Sequence, residues 1–113
     1  MATYILLINL TPEGQAKAVR DPHYLLHVEQ QVKPHGVEPL GRYAVLGGYD
    51  FVSIVEAESN EKVARFALQL GLHAGVHVST LPAVPVARLE VEPGDEPDEL
   101  VDEVALTQER QVQ

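Results

Sequence analysis

The N-terminal part of the chain combines an apolar run with a segment of helical periodicity. Residues 3–10 are almost continuously apolar, which is typical of a strand that is buried on both faces. Thr11 and Pro12 follow as a helix N-cap and a residue suited to the first helical position. A second proline-led start interrupts the periodicity, so we predict a helix in two pieces, roughly 12–20 and 22–33.

Two strands, a helix and a last strand are predicted in the next part of the chain. Their expected ranges are 37–46, 51–57, 60–70 and 76–81. Gly47 and Gly48 indicate a hairpin turn, since glycine accepts positive φ without steric cost. Gly71 is expected to end the helix. Pro39 places its strand at a sheet edge, because proline cannot donate to a ladder.

The predicted order β-α-β-β-α-β defines the fold class. It is the ferredoxin-like α+β sandwich, an antiparallel four-stranded sheet with both helices on one face and the first and third strands central. The first strand is apolar on both sides, with Ile5 and Leu7 opposed to Leu6 and Ile8, and helices cover only one side. Leaving about five such side chains in water would cost roughly 8–15 kcal/mol. We therefore expect a second copy to cover the open face in a homodimer or higher homo-oligomer.

Charge is distributed unevenly between the body of the chain and its end. Of the net charge of −9 over 113 residues, −8 falls in residues 90–113, which hold nine acidic residues and one arginine. We expect one nearly neutral domain over residues 1–89, followed by an acidic C-terminal tail over 90–113. Neither nucleic acid nor an anionic membrane is expected as a partner, because both bind basic surfaces.

Several kinds of site and location are disfavoured by the sequence. The absence of cysteine excludes disulfides and thiolate sites. His23 and His27 stand four residues apart, but opposite the apolar face of their predicted helix and without an obvious third ligand, so we predict no metal site and no cofactor. The short apolar run near the N-terminus has no basic leader, so we expect no membrane span and a cytoplasmic location.

Three short segments of the chain form a recognisable set. They are Tyr4…Asn9-Leu10-Thr11…Gly14, Gly47-Gly48-Tyr49-Asp50 and Leu70…Gly75-Val76…Ser79-Thr80-Leu81. This set resembles the GYD domain family over roughly residues 3–88 and leaves the tail outside. The resemblance implies a fold of the dimeric α/β-barrel kind, in which two sheets pack face to face, and no established activity. The Gly-Tyr-Asp segment is also similar to the ligand-sensing domain of leucine-responsive regulators.

A small polar cluster on one face of the sheet is the first candidate for a ligand site. Asn9 stands where the strand pattern calls for an apolar residue, and a buried amide needs hydrogen-bond partners. Ser53, His77 and Ser79 are expected on neighbouring strands of the same face. Such a cluster in an apolar cavity suits an uncharged or weakly acidic metabolite, and it is also compatible with a satisfied core network.

The hairpin and the strand before it supply the other candidates. An aspartate beside glycine hydrogen-bonds nearby amides, so a structural role for Asp50 stands beside ligand contact by Tyr49 and Asp50. Arg42 and Tyr43 are suited to anchoring an anion, and one of them must point away, since neighbours on a strand face opposite sides. The ligand-binding hypothesis therefore comprises Asn9, Tyr43, Tyr49, Asp50, Ser53 and His77. No catalytic residue is assigned.

Three function classes remain open at this point. The first is a non-catalytic, self-associating module that binds a small ligand or regulates. The second is a cofactor-independent enzyme acting on a small metabolite in the barrel cavity. The third is a structural interaction protein without a ligand. A cavity, and the titratable groups inside it, would distinguish the three classes.

The acidic tail carries its own structural prediction. Glu96 and Pro97 resemble an N-cap and a first helical position. An apolar stripe follows at helical spacing, formed by Leu100, Val101, Val104 and Ala105. A helix of about twelve residues is marginal in water by itself. Residues 97–108 are therefore predicted to be helical only when the stripe docks, and we expect a neighbouring subunit to receive it.

Overall fold

The computed structural model of the protein describes residues 1–89. The acidic tail and the helix predicted at 97–108 lie outside the described residues. The elements are, in order, β1 (Ala2–Leu10), α1 (Pro12–Arg20), α2 (Tyr24–Val32), β2 (Val37–Ala44), β3 (Phe51–Ala57), α3 (Asn60–Ala74), β4 (Val76–Ala83) and a 3-10 turn (Val86–Arg88). None of the helices in this part of the chain has the length and apolar character needed to cross a membrane.

The four strands form one antiparallel sheet in the order β2-β3-β1-β4. β1 and β3 therefore lie at the centre, and the predicted ferredoxin-like α+β fold is confirmed. The edge strands are β2, which carries Pro39, and β4, which carries Pro82. The register of β2 shifts between Pro39 and Gly41 through a bulge. β4 reaches Ala83 and β2 ends at Ala44, so each differs from its predicted end by two residues.

The core lies between one face of the sheet and the helices. Tyr4, Leu6 and Ile8 of β1 point into it and are buried. Their counterparts on α3 share one side of that helix, at the spacing expected for an amphipathic helix: Val63, Phe66, Leu70 and Ala74. Ile5 and Leu7, which alternate with the core residues of β1, are only half-buried. The helices thus cover one face of the sheet.

The third helix continues past the glycine that was expected to end it. α3 runs to Ala74, and Gly75 is its C-cap in the left-handed conformation, with φ +72° and ψ +52°. Gly71 lies inside the helix, where a Cβ would come within 3.1 Å of the carbonyl oxygen of Val76. The expected end at Gly71 was therefore wrong, because this glycine serves close packing against β4 rather than a change of backbone direction.

Thr11, Gly14 and Gly75 of the recognisable set contact one another where α1 begins and α3 ends. The carbonyl oxygen of Gly75 accepts hydrogen bonds from the Thr11 N–H at 3.1 Å and from the Thr11 hydroxyl at 2.7 Å. Thr11 Oγ1 accepts in turn from the Gly14 N–H at 3.2 Å and so caps α1. A Cβ at Gly14 would lie only 2.3 Å from the Gly75 oxygen. These residues therefore have a packing role.

Candidate functional site

The face of the sheet opposite the helices is apolar and uncovered in the described part of the chain. Its centre pairs Ile5 of β1 with Ile54 of β3, and Leu7 of β1 with Val52 of β3. All four side chains are half-buried. More exposed side chains flank this centre from the two edge strands, and they are Tyr43 on β2 and Leu81 on β4. We call this surface the open face.

A polar group lies at one end of the open face. Strand register pairs Asn9 with His77 and Leu7 with Ser79, so Asn9, His77 and Ser79 share that face, as expected. Asn9 is half-buried, whereas His77 and Ser79 are exposed. An amide, an imidazole and a hydroxyl beside the apolar centre are able to donate and accept hydrogen bonds to anything that covers the face.

The expected placement of Ser53 in this cluster is wrong. Ser53 pairs with Leu6, and residues directly opposite each other on neighbouring strands share a face, so its side chain points toward the helices. It is buried there, and its hydroxyl donates a hydrogen bond of 2.7 Å to Glu29 Oε2. Ser53 therefore belongs to the core and is not available to a ligand on the open face.

Glu29 is a residue that the sequence reasoning did not single out. Its side chain is 0% exposed, and its second carboxylate oxygen, Oε1, accepts from Arg42 Nε. A buried carboxylate needs a cation and hydrogen bonds to offset its lost hydration, and Arg42 and Ser53 supply both. The sequence feature that could have revealed its burial is spacing. Glu29 stands four residues after Leu25 and therefore lies on the apolar side of α2.

The neighbours Arg42 and Tyr43 point to opposite faces, as expected. Arg42 pairs with Ser53 and turns toward the helices, whereas Tyr43 pairs with Val52 and turns toward the open face. Beside Arg42 lies a pocket of about 390 Å³, lined mainly by apolar groups of Pro22, α2, β2 and β3, and by His23 and Tyr43. A guanidinium next to apolar walls suits a small organic anion.

The Asp50 carboxylate accepts a hydrogen bond from the backbone of β1, a strand that lies far away in the sequence. Its Oδ2 accepts from the Leu10 N–H at 2.9 Å, and the Asp50 N–H donates to the Ile8 carbonyl at 2.9 Å. The expected structural role of the carboxylate thus has a different partner, since it ties the hairpin loop to the end of β1, whereas the Asp50 carbonyl closes the local hairpin by accepting from the Val45 N–H at 3.0 Å. Tyr49, next to it, has an exposed ring. Of the pair, Tyr49 is the residue that a partner can reach.

Tyr24 connects the start of α2 to the end of α3. Its hydroxyl donates to the Ala74 carbonyl at 3.1 Å. Burial raises the pKa of the Tyr24 phenol above its ordinary value, and the negative charges of Glu13 and Asp50 raise this pKa further. The phenol therefore stays protonated and acts as a hydrogen-bond donor in the core.

The histidines do not assemble into a metal-binding group in the described part of the chain. Within residues 1–89, no three His, Asp or Glu side chains are placed to hold one ion. His27 Nδ1 lies 3.6 Å from Asp21 Oδ2, and His73 Nε2 lies 3.1 Å from Gln69 Oε1. These are pairwise contacts on exposed helix surfaces.

The fold and the open face together define a ferredoxin-like α+β domain with one uncovered sheet surface. A family model, the GYD domain, matches residues 4–91. The "Glutamine synthetase and cystathionine beta-lyase binding protein" of Thermus thermophilus is 43% identical over 90 residues, which cover 79% of this chain and 95% of that protein. The chain belongs to the GYD domain family.

Two crystal structures share the fold at low sequence identity. MtbAldR superposes with a TM-score of 0.56 and 17% identity, covering 84% of this chain and 59% of that one. The leucine response regulatory protein LrpA of Mycobacterium tuberculosis gives a TM-score of 0.50 and 12% identity, covering 80% and 56%. The chain spans less than two thirds of either protein. The likeness therefore concerns the fold alone.

Proposed function

We propose that this chain is a non-catalytic regulatory module that self-associates through the open face and binds metabolic enzymes. The observation that carries self-association is the half-buried apolar centre formed by Ile5, Leu7, Val52 and Ile54. Completing the burial of four such side chains would stabilise each chain by roughly 3–6 kcal/mol, about half of the value for full burial. That is comparable to much of a domain's stability, which is about 5–15 kcal/mol.

A second copy is the partner that best fits the open face. Its polar end, with Asn9 on β1 and His77 on β4, adjoins the apolar centre on the same face, so a rotated copy can place apolar against apolar surface and polar against polar. Two-fold symmetric interfaces use one self-complementary patch in this way. The family resemblance to dimeric α/β barrels supports the same arrangement.

The proposed enzyme partners come from the relative that is named for binding two enzymes. That protein is matched over 95% of its length at 43% identity, so it is similar over the whole domain. On this chain the hairpin loop between β2 and β3 offers a contact surface, because Leu46 is fully exposed and Tyr49 stands 39% exposed beside it. The loop is anchored through Asp50, so these side chains are presented on a fixed support.

Two substitutions separate the proposed surfaces. Leu7→Lys on the open face should convert the oligomer to a 12.4 kDa monomer in sedimentation velocity at micromolar concentration. Leu46→Asp should leave the oligomer intact but weaken co-sedimentation with purified glutamine synthetase and cystathionine beta-lyase. Val19→Lys, at an exposed position of α1, is the matched control and should change neither measurement.

Two results would contradict this function. A wild-type protein that sediments as a monomer at these concentrations rules out the open face as a self-association surface. Wild-type protein that fails to co-sediment with both enzymes rules out the proposed partners, whatever its oligomeric state. The two failures are independent, because each surface has its own variant.

A small organic anion is a second candidate, favoured by the pocket beside Arg42. Glu29 holds Nε of the guanidinium, and His23 lies on the same pocket wall. Such a ligand would add regulation of the module by a metabolite. Native mass spectrometry of the purified protein tests this, with a bound small molecule in the wild type and none in Arg42→Gln as the expected result. Equal occupancy in both proteins would place the ligand elsewhere.

A further inference from the structure

A second apolar surface lies on the opposite side of the sheet from the open face. It is a groove of about 660 Å³ between α3 and the edge strand β4. Ala64, Leu68 and Leu72 form its helix wall at successive four-residue steps, and Val78, Thr80 and Pro82 form its strand wall. Among the described residues that line it, none is a lysine, arginine, aspartate or glutamate. We call this surface the α3/β4 groove.

The groove is too apolar to be explained as ordinary surface. Leu68 and Leu72 are each 73% exposed, although they stand next to each other along one wall. Between this wall and the strand lie the small residues Ala67 and Gly71, which leave a trough where larger side chains would fill the space. A concave strip of this kind accommodates the apolar side of one further helix.

The segment of this chain that fits the groove is the apolar stripe of the acidic tail. The family model ends at residue 91, so residues 92–113 are additional to the matched domain. Leu100, Val101, Val104 and Ala105 stand on one side of a potential helix, and four acidic residues stand on the other sides together with Leu106. An uncharged groove can receive this stripe while the carboxylates remain in water.

The tail is long enough to reach the groove within one chain. β4 ends at Ala83, so thirteen residues, 84–96, precede the predicted helix. Because Val86–Arg88 form a 3-10 turn, only the seven residues 90–96 are counted as extended, and they span up to about 23–25 Å. The groove follows β4 from Val76 to Pro82, a length of only about 20 Å at the usual rise per residue. The linker is therefore long enough for the apolar stripe to reach the α3/β4 groove.

We infer that residues 97–108 form an amphipathic helix that docks in the α3/β4 groove of the same chain. This differs from the neighbouring subunit that the sequence pattern led us to expect, and it stands independently of the proposed function. Docking covers Leu68 and Leu72 with the stripe, and the groove in turn supplies the apolar contact that a short helix needs to be stable.

Engineered cysteines test this contact directly, because the natural chain contains none. In the full-length double variant Leu72→Cys/Val104→Cys, mild oxidation should give an intrachain disulfide, read by mass spectrometry and non-reducing gel. The control pair Leu72→Cys/Asp102→Cys places the second thiol on the other side of the helix and should form about tenfold more slowly. Equal rates for the two pairs, or a predominantly interchain product, would overturn docking within the chain.

Hydrogen exchange provides a readout that needs no cysteine. In the full-length protein, amides of residues 97–108 should exchange about tenfold or more slowly than random coil. Val101→Asp/Val104→Asp should abolish this protection and speed exchange in α3, whereas Asp102→Asn/Glu103→Gln should preserve both. Random-coil exchange of 97–108 in the wild type would overturn the proposal.

Discussion

The two faces of the sheet are built from the same kinds of residue but have different roles. On β1, the neighbours Leu6 and Leu7 are both leucine, yet Leu6 is fully buried under the helices and Leu7 is half-buried on the open face. On β2, Arg42 turns inward to a buried carboxylate and Tyr43 turns outward. Position relative to the helices, rather than residue type, thus decides which side chains stabilise the domain and which are available to a partner.

The polar groups of the two faces differ in the same way. Those on the covered face, Glu29 and Ser53, satisfy each other and Arg42 within the core. Those on the open face, Asn9 and His77, lie at a surface where a partner can complete their hydrogen bonding. Buried polar residues in this domain are therefore assigned to stability, and the half-exposed ones are retained as candidates for binding.

The largest expected effect is that of Arg42→Met, because it leaves the Glu29 carboxylate buried without its cation. Removal of one partner from a buried ion pair costs about 3–5 kcal/mol. Urea denaturation should show this loss in the free energy of unfolding. Tyr43→Ala changes the next residue, which lies on the open face, and should lower the free energy of unfolding much less in dilute solution.

Arg65→Met is the matched control for the charge itself. Arg65 Nη2 lies 2.9 Å from Glu61 Oε2 in a pair that is mostly exposed, and exposed pairs contribute little. The free energy of unfolding of Arg65→Met should stay close to that of the wild type. If Arg42→Met were no more damaging than Arg65→Met, the distinction between the covered and open faces would not hold for charged groups.

The leucine neighbours of β1 give the next largest difference. Leu6→Ala removes a fully buried side chain from the core and should lower the free energy of unfolding by about 2–5 kcal/mol at any protein concentration. Leu7→Ala should cost less than Leu6→Ala in dilute protein, because Leu7 is only half-buried in the single chain. Its cost should rise with protein concentration, because the rest of its burial depends on the proposed second copy. Thermal melting over a hundredfold dilution series measures both. A Leu7→Ala effect of the same size at every concentration would contradict cover of the open face by a second copy.

The smallest expected difference separates two glycines of the recognisable set. Gly14→Ala forces a Cβ against the Gly75 carbonyl and should cost about 1–3 kcal/mol through overpacking. At Gly48 a Cβ would meet no atom within 4 Å, so Gly48→Ala should leave stability unchanged or slightly raised. Differential scanning calorimetry of both variants decides between these roles. Equal destabilisation would mean that the hairpin glycine also makes a packing contact.

Much of the fold could be predicted from local patterns. The apolar run of β1, the Thr11 cap and the amphipathic spacing of α3 each reflect preferences within a few residues of the chain. Element order followed from these, and the ferredoxin-like topology followed from element order. The error at the end of α3 arose because Gly71 and Gly75 are both plausible stops in sequence, whereas only Gly75 has the left-handed backbone.

The candidate site was predicted less well, because it depends on residues far apart in sequence. Asn9 and His77 were correctly placed on one face, since alternation along two neighbouring strands is enough for that. Ser53 was misplaced because the face to which it points depends on how β3 pairs with its neighbouring strands. A shift of that pairing by one residue would move every side chain of the strand to the other face. The buried state of Glu29 was missed, although its spacing from Leu25 placed it on the apolar side of α2.

By itself, the sequence determined the class of fold, the two-sided apolar character of β1 and the separation of a nearly neutral body from an acidic tail. These properties are local or compositional, so they need no knowledge of which segments meet. Only the tertiary structure decided that Arg42 forms an ion pair with Glu29, that Asp50 accepts from the Leu10 amide and that Gly14 packs on Gly75. Each of these contacts joins separate elements, and its partner is chosen by the packing of the whole domain rather than by either residue's neighbours.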